Sequence, residues 1–72
     1  MNKYIVPIYD DGKVFNRIVI ARSNSDCKEK LINQYISEFE IDQDFSNFKE
    51  FEKYMRQLNV IFGTIQDVDE LC

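Results

Sequence analysis

The hydrophobic pattern of this chain changes period along its length. Between Lys3 and Tyr9, and again between Val14 and Ala21, apolar residues occupy both odd and even positions. The two runs flank Asp10-Asp11-Gly12-Lys13. Asp-Gly favours a type I′ turn, whose two central residues need positive φ, so the segment reads as a β-hairpin. With Asp11-Gly12 at the tip, Tyr9 faces Val14, Ile8 faces Phe15, Ile5 faces Ile18 and Tyr4 faces Val19. Opposed residues share a face, and faces alternate along each strand. One face then holds Tyr4, Val6, Ile8, Phe15, Val19 and Ala21, and the other holds Ile5, Tyr9, Val14, Ile18 and Ile20. A small domain covers only one such face. The second set, Ile5, Tyr9, Val14, Ile18 and Ile20, is the candidate interface. Arg17 lies on the first face and argues the other way, toward the second set as core, unless it rims a helix-covered face with its aliphatic stem buried.

The period then lengthens. Cys27, Leu31, Ile32, Tyr35, Ile36 and Phe39 form one stripe at helical spacing and predict a helix from about Asp26 to Glu40. Ser23 with Asp26, or Asp26 with Glu29, has capping-box spacing. Ile41–Ser46 reads as a connector. A second helix is predicted over about Asn47–Leu58, capped by Asp44 or Ser46, with Phe48, Phe51, Met55 and Leu58 as its stripe. Asp26–Lys30, Glu52–Arg56 and Glu50–Lys53 have the spacing of intrahelical ion pairs. Asn59 suits a left-handed helix end. Val60–Asp67 reads as a strand in which Gly63 marks a bulge or a close backbone approach. The tail Val68–Cys72 is acidic and expected to be loose.

The order β-β-α-α-β, with no repeat or linker, predicts a single α+β domain over residues 1–72. Helices joined by a short connector pack as an antiparallel pair on one sheet face. Pro7 cannot donate a ladder hydrogen bond and therefore prefers an edge strand. The favoured strand order is 1-2-3, with the third strand antiparallel to the second. The alternative, 2-1-3 with the first and third strands parallel, places Pro7 at the centre.

Composition narrows the function classes. An apolar fraction of 44% and a charged fraction of 31% fit a soluble globular chain. No apolar run approaches the ~20 residues of a membrane span. Pro7 and Asp10-Asp11 interrupt any signal-peptide pattern, so a cytosolic location is expected. Cys27 and Cys72 are expected to be free thiols, with Cys27 a small residue at the core edge. Residues 1–30 carry six basic and four acidic groups, whereas residues 31–72 carry three and nine, within a net charge of −4. That balance argues against direct nucleic-acid binding, although a local basic edge around Lys13, Arg17 and Arg22 remains. Ile, Asn, Lys, Phe and Tyr are abundant, and their AT-rich codons suggest an AT-rich genome.

Chemistry is sparsely represented. The sequence contains no histidine and only two glycines, Gly12 and Gly63. Histidine catalysis, histidine metal ligation and a glycine-rich phosphate loop therefore have no residues to use. Two distant cysteines do not make a zinc site. Asp42, Asp44 and Ser46 open like a calcium loop, but Asn47 stands where glycine is needed and Lys53 where the bidentate glutamate belongs. No catalytic residue, cofactor, metal or small-molecule substrate is expected. The strongest polar cluster is acidic: Glu38, Glu40, Asp42 and Asp44, followed by Glu50 and Glu52. It is either a solubilising edge or a surface for a basic partner. In size and charge the chain resembles small acidic α+β inhibitors carried by bacteriophages and mobile elements, some anti-CRISPR proteins among them. That likeness is one of type and implies a nucleic-acid-mimicking inhibitor of a nucleic-acid-binding protein. The first expectation is a non-enzymatic binding or regulatory module, working through the open hairpin face as a homodimer or on a protein partner.

Overall fold

The computed structural model describes residues 1–68. The expected tail, with Cys72, lies outside the described residues from 69 onward. The elements are β1 (Asn2–Asp10), β2 (Lys13–Ala21), α1 (Asn24–Glu38), α2 (Phe48–Gln57), β3 (Val60–Phe62) and β4 (Gln66–Asp67). They form an α+β domain with two helices on one face of an antiparallel sheet.

The hairpin follows its turn chemistry. Asp11 and Gly12 have φ of 48° and 92°, as a type I′ turn requires. Register follows from the turn: Tyr9 pairs with Val14, Ile8 with Phe15, Ile5 with Ile18 and Tyr4 with Val19.

Strand order departs from the sequence expectation. It is β2-β1-β3, with β4 also on β1, so Pro7 sits in the central strand and not at an edge. The third strand is antiparallel to β1, and so differs from both arrangements considered above. The expected single strand Val60–Asp67 is split, and the split explains how Pro7 is accommodated. β1 pairs Ile8 with Phe62, but further along it pairs Ile5 with Gln66. One extra residue is therefore inserted between β3 and β4, which is the signature of a bulge. Hydrogen-bonded and non-bonded pairs alternate along a hairpin, so the Pro7 backbone points away from β2 and toward this bulge. Its carbonyl accepts from the Gly63 N–H at 2.7 Å. The donor that proline lacks falls where the partner strand breaks its ladder. A side chain at Gly63 would place Cβ 3.1 Å from Pro7 Cβ, so the glycine is needed for close approach.

The helices begin at side-chain caps. Ser23 Oγ accepts from Asp26 N at 3.2 Å, and the Asp26 carboxylate accepts from Arg22 N at 3.0 Å. Helix α1 starts at Asn24 and ends at Glu38, about two residues earlier at each end than the stripe suggested. Glu40 then turns left-handed with φ 52°, and Ile41 N donates back to Ile36 O at 3.0 Å. That bond closes a Schellman motif without the usual glycine. The cap of α2 is Asn47, not Asp44 or Ser46: its Oδ1 accepts from Glu50 N at 2.9 Å, and Glu50 returns a carboxylate oxygen to Ser46 N at 3.0 Å. Among the described residues, the Asp26–Lys30 pair forms at 3.6 Å, whereas Glu52–Arg56 and Glu50–Lys53 do not close.

Residues 39–47 run back along α1, with Ile41 and Phe45 packed on the core. Lys28 Nζ lies 5.5 Å from the Phe48 ring centre, so α2 starts beside the first half of α1. At the far end Asn59, left-handed at φ 66°, accepts at its carbonyl from Asp11 N at 3.0 Å. The helices thus run in the same general sense, not as the expected antiparallel pair. This reverses the direction in which the chain enters β3.

The core lies between sheet and helices. Tyr4, Val6, Ile8, Val19 and Ala21 of the hairpin are buried with Cys27, Leu31, Tyr35, Phe51, Met55, Val60 and Phe62. Rings dominate its centre: Phe51 stacks on Phe62 at 5.4 Å between centroids, and Tyr35 meets Phe62 edge-on at 5.4 Å. Each such pair contributes about 1 kcal/mol beyond its buried area.

Candidate functional site

The covered sheet face is the first set of hairpin residues, and the slight preference for the second set as core is overturned. Arg17 is why that preference failed. It lies on the helix-covered face, but at the rim, with its guanidinium 4.7 Å above the Tyr35 ring. It donates to both Glu38 oxygens at 3.1 Å and to Gln34 Oε1 at 3.1 Å. The Glu38 hydrogen bond raises the Arg17 pKa above its ordinary value despite partial burial. A charged residue mid-strand thus marks the border of the core and does not exclude it. Phe15, on the same face near the turn, stays 39% exposed.

Among the described residues, no helix covers the other face. Alternation places Lys3, Ile5, Pro7 and Tyr9 of β1 on it, with Val14, Asn16, Ile18 and Ile20 of β2 opposite. Tyr9 also pairs with Ile61, so Val14, Tyr9 and Ile61 form one row across three strands. A second row is Ile18, Ile5 and Gln66. Exposure is 42% at Tyr9, 76% at Val14, 58% at Ile18, 48% at Ile20 and 41% at Ile61. Ile5, at the centre, is partly shielded by its neighbours. Among the described residues that the strand pairing places on this face, Lys3 is the only one with a charged side chain. All five candidate interface residues therefore share one uncovered surface. Ile61 belongs to it and was missed. Its signal was present, since it alternates with the buried Val60 and Phe62, but the strand had to be placed beside β1 before that alternation pointed anywhere.

The acidic residues are not brought together in the same way. Glu38 is held by Arg17. Glu40 forms the left-handed end of α1, and Asp42 and Asp44 are exposed in the connector. Glu50 serves the cap of α2. The basic edge is similarly reduced, because Arg17 is committed to Glu38 and Gln34.

Cys27 is fully buried as a free thiol, and burial pushes its pKa up. It is a packing residue, as its spacing suggested, and not an activated nucleophile. The Tyr35 hydroxyl is buried without a hydrogen-bond partner among the described residues, and burial raises its pKa as well. Among the described residues no group of three His, Cys, Asp or Glu side chains could hold a metal ion. Surface depressions are shallow; one of about 410 Å³ lies between Asn24, Lys28, Phe48, Glu52 and the bulge. Among the described residues no helix is long and apolar enough to cross a membrane.

No protein-family model, no curated protein and no solved structure matches this chain.

Proposed function

We propose that this chain is a small non-enzymatic binding or regulatory module that docks through the open face of its sheet. The observation that supports this reading is the row structure of that face. Tyr9, Val14, Ile18, Ile20 and Ile61 are each at least 41% exposed on one side of a sheet whose other side packs against the helices. Scattered exposed apolar residues are ordinary, but a contiguous set on a flat face rimmed by polar groups marks an interaction surface. A 72-residue chain also has little core to spare, so covering this face stabilises the fold as well.

The setting proposed with it is the cytosol of a cell hosting a bacteriophage or mobile element. The abundance of Ile, Asn, Lys, Phe and Tyr, whose codons are AT-rich, and the free thiol at Cys27 support that setting. Genomic neighbourhood tests it: genes of a mobile element should flank this one, and a housekeeping operon would contradict it. The nucleic-acid-mimicking reading has less support, because Glu38 already neutralises Arg17 and Glu50 caps a helix.

Ile5→Lys and Ile18→Lys test the docking face. Each should abolish association, with itself or with a partner, while helix content by circular dichroism stays unchanged. Association that is indifferent to both changes at every concentration would refute the proposal. Binding that is instead lost on neutralising Glu40, Asp42 and Asp44, and that weakens with salt, would transfer the function to the acidic connector.

A further inference from the structure

We infer that the occupant of the open face is a second copy of this chain, stacked face to face with its strands reversed. The inference rests on the reading of that face as a docking surface. It names the partner from the distribution of charge.

Among the described residues, charge within the rows of the open face is confined to one end, where Lys3 pairs with Ile20. The opposite end is the turn. There Asp10 and Lys13 face each other in the hairpin register, and the exposed Asp11, whose Oδ1 accepts from Asn59 Nδ2 at 3.5 Å, has no basic partner among the described residues. Along β1, Lys3 and Asp11 are about 26 Å apart at strand rise. A two-fold axis lying between two such faces and perpendicular to the strands superposes each end on the opposite end of the other copy. Lys3 of each copy then meets the partner's Asp11, twice, with the apolar rows between them. An axis parallel to the strands would instead bring Lys3 onto Lys3. The same face on both partners is the geometry of an isologous dimer, and aligned sheets stack about 10 Å apart.

The outer edge of β2 is a poorer surface for self-association. Ile20 forms a non-hydrogen-bonded pair with Lys3, so its carbonyl points outward. Lys30 Nζ donates to that carbonyl at 2.8 Å from α1. A lysine that occupies an edge carbonyl takes an acceptor that strand addition would need. Strand addition at the β2 edge is thereby disfavoured.

Size sets the strength. Two strands of nine residues, with the shorter β3 and β4 beside them, span at most roughly 14 by 27 Å. That is smaller than the ~800 Å² per partner of a standard specific interface, so the dimer is expected in the micromolar range or weaker.

The test is sedimentation velocity from about 5 to about 500 µM. The wild-type chain should shift from monomer to dimer, and Ile18→Lys should hold it as monomer. K3E and D11K should each weaken dimerisation at least tenfold when alone, and an equimolar mixture of the two should recover it, because both end pairs are then complementary. Asp11→Asn, which suits the left-handed turn position, should weaken it without disturbing the hairpin. A wild-type chain that stays monomeric throughout overturns the second-copy inference but leaves the docking face to be judged by partner capture. A dimer that survives Ile18→Lys overturns both. K3E that dimerises more tightly than wild type, or a mixture that fails to recover, overturns the reversed stacking.

Discussion

Tyr35 shows how a single residue can cost stability inside a well-filled core. Its ring contacts Phe39, Phe51 and Phe62 at 5.4, 6.1 and 5.4 Å between centroids and supports the Arg17 guanidinium, but its hydroxyl is buried without a partner among the described residues. An unsatisfied buried hydroxyl costs on the order of 1 kcal/mol or more. Tyr35→Phe keeps every ring contact and removes that cost. It should raise the urea midpoint, with an unchanged slope, by an amount equivalent to about 1 kcal/mol. A lowered midpoint would mean that the hydroxyl is satisfied. Glu40 is a second such residue. It holds φ 52° at the end of α1, a conformation that costs a side-chain-bearing residue about 1 kcal/mol relative to glycine. Glu40→Gly should therefore raise the melting temperature by several degrees. An unchanged or lower value would show that the Glu40 side chain contributes something the Schellman motif does not.

Among the elements, the hairpin was the most legible. Asp11-Gly12 specified the turn, the turn specified the register, and alternation then sorted every side chain to a face. Helix α1 was legible for a related reason: Cys27, Leu31 and Tyr35 recur at the helical period, and Ser23 stands where a cap is needed. Strand order was not legible. Whether Pro7 tolerates a central strand depends on what lies opposite it, and the accommodating bulge at Gly63 is formed by residues more than fifty positions away. The helix pair was misjudged because the connector looked short, yet Ile41 and Phe45 draw it back along α1. The α1 cap has its own pH signature. The Arg22 backbone N–H, and then the charge of Lys30, hold the partly exposed Asp26 carboxylate below the usual range. A carboxylate with a depressed folded pKa contributes stability above its unfolded value and loses it as pH falls through the folded one. Asp26→Asn should therefore destabilise the protein at neutral pH, and the difference from wild type should vanish in acid. A difference independent of pH would place the effect in packing.

At the scale of the whole molecule, the sequence already showed that one face of the hairpin had to be left over. It did not show which. Both sets were apolar, and Arg17 pointed the wrong way because the long stem of an arginine can rim a core as readily as exclude one. The helices settle it by covering Tyr4, Val6, Ile8, Val19 and Ala21 and leaving Ile5, Tyr9, Val14, Ile18 and Ile20 open, with Ile61 added by β3. The docking proposed for this molecule takes place on this open face. Isoleucines lie on both sides of the sheet and on α1, so their methyl resonances map the claim directly. Under conditions where sedimentation shows association, the methyls of Ile5, Ile18, Ile20 and Ile61 should shift with concentration while those of Ile8 and Ile32 stay fixed. Shifts confined to Ile36 and Ile41, beside the acidic connector, would contradict it.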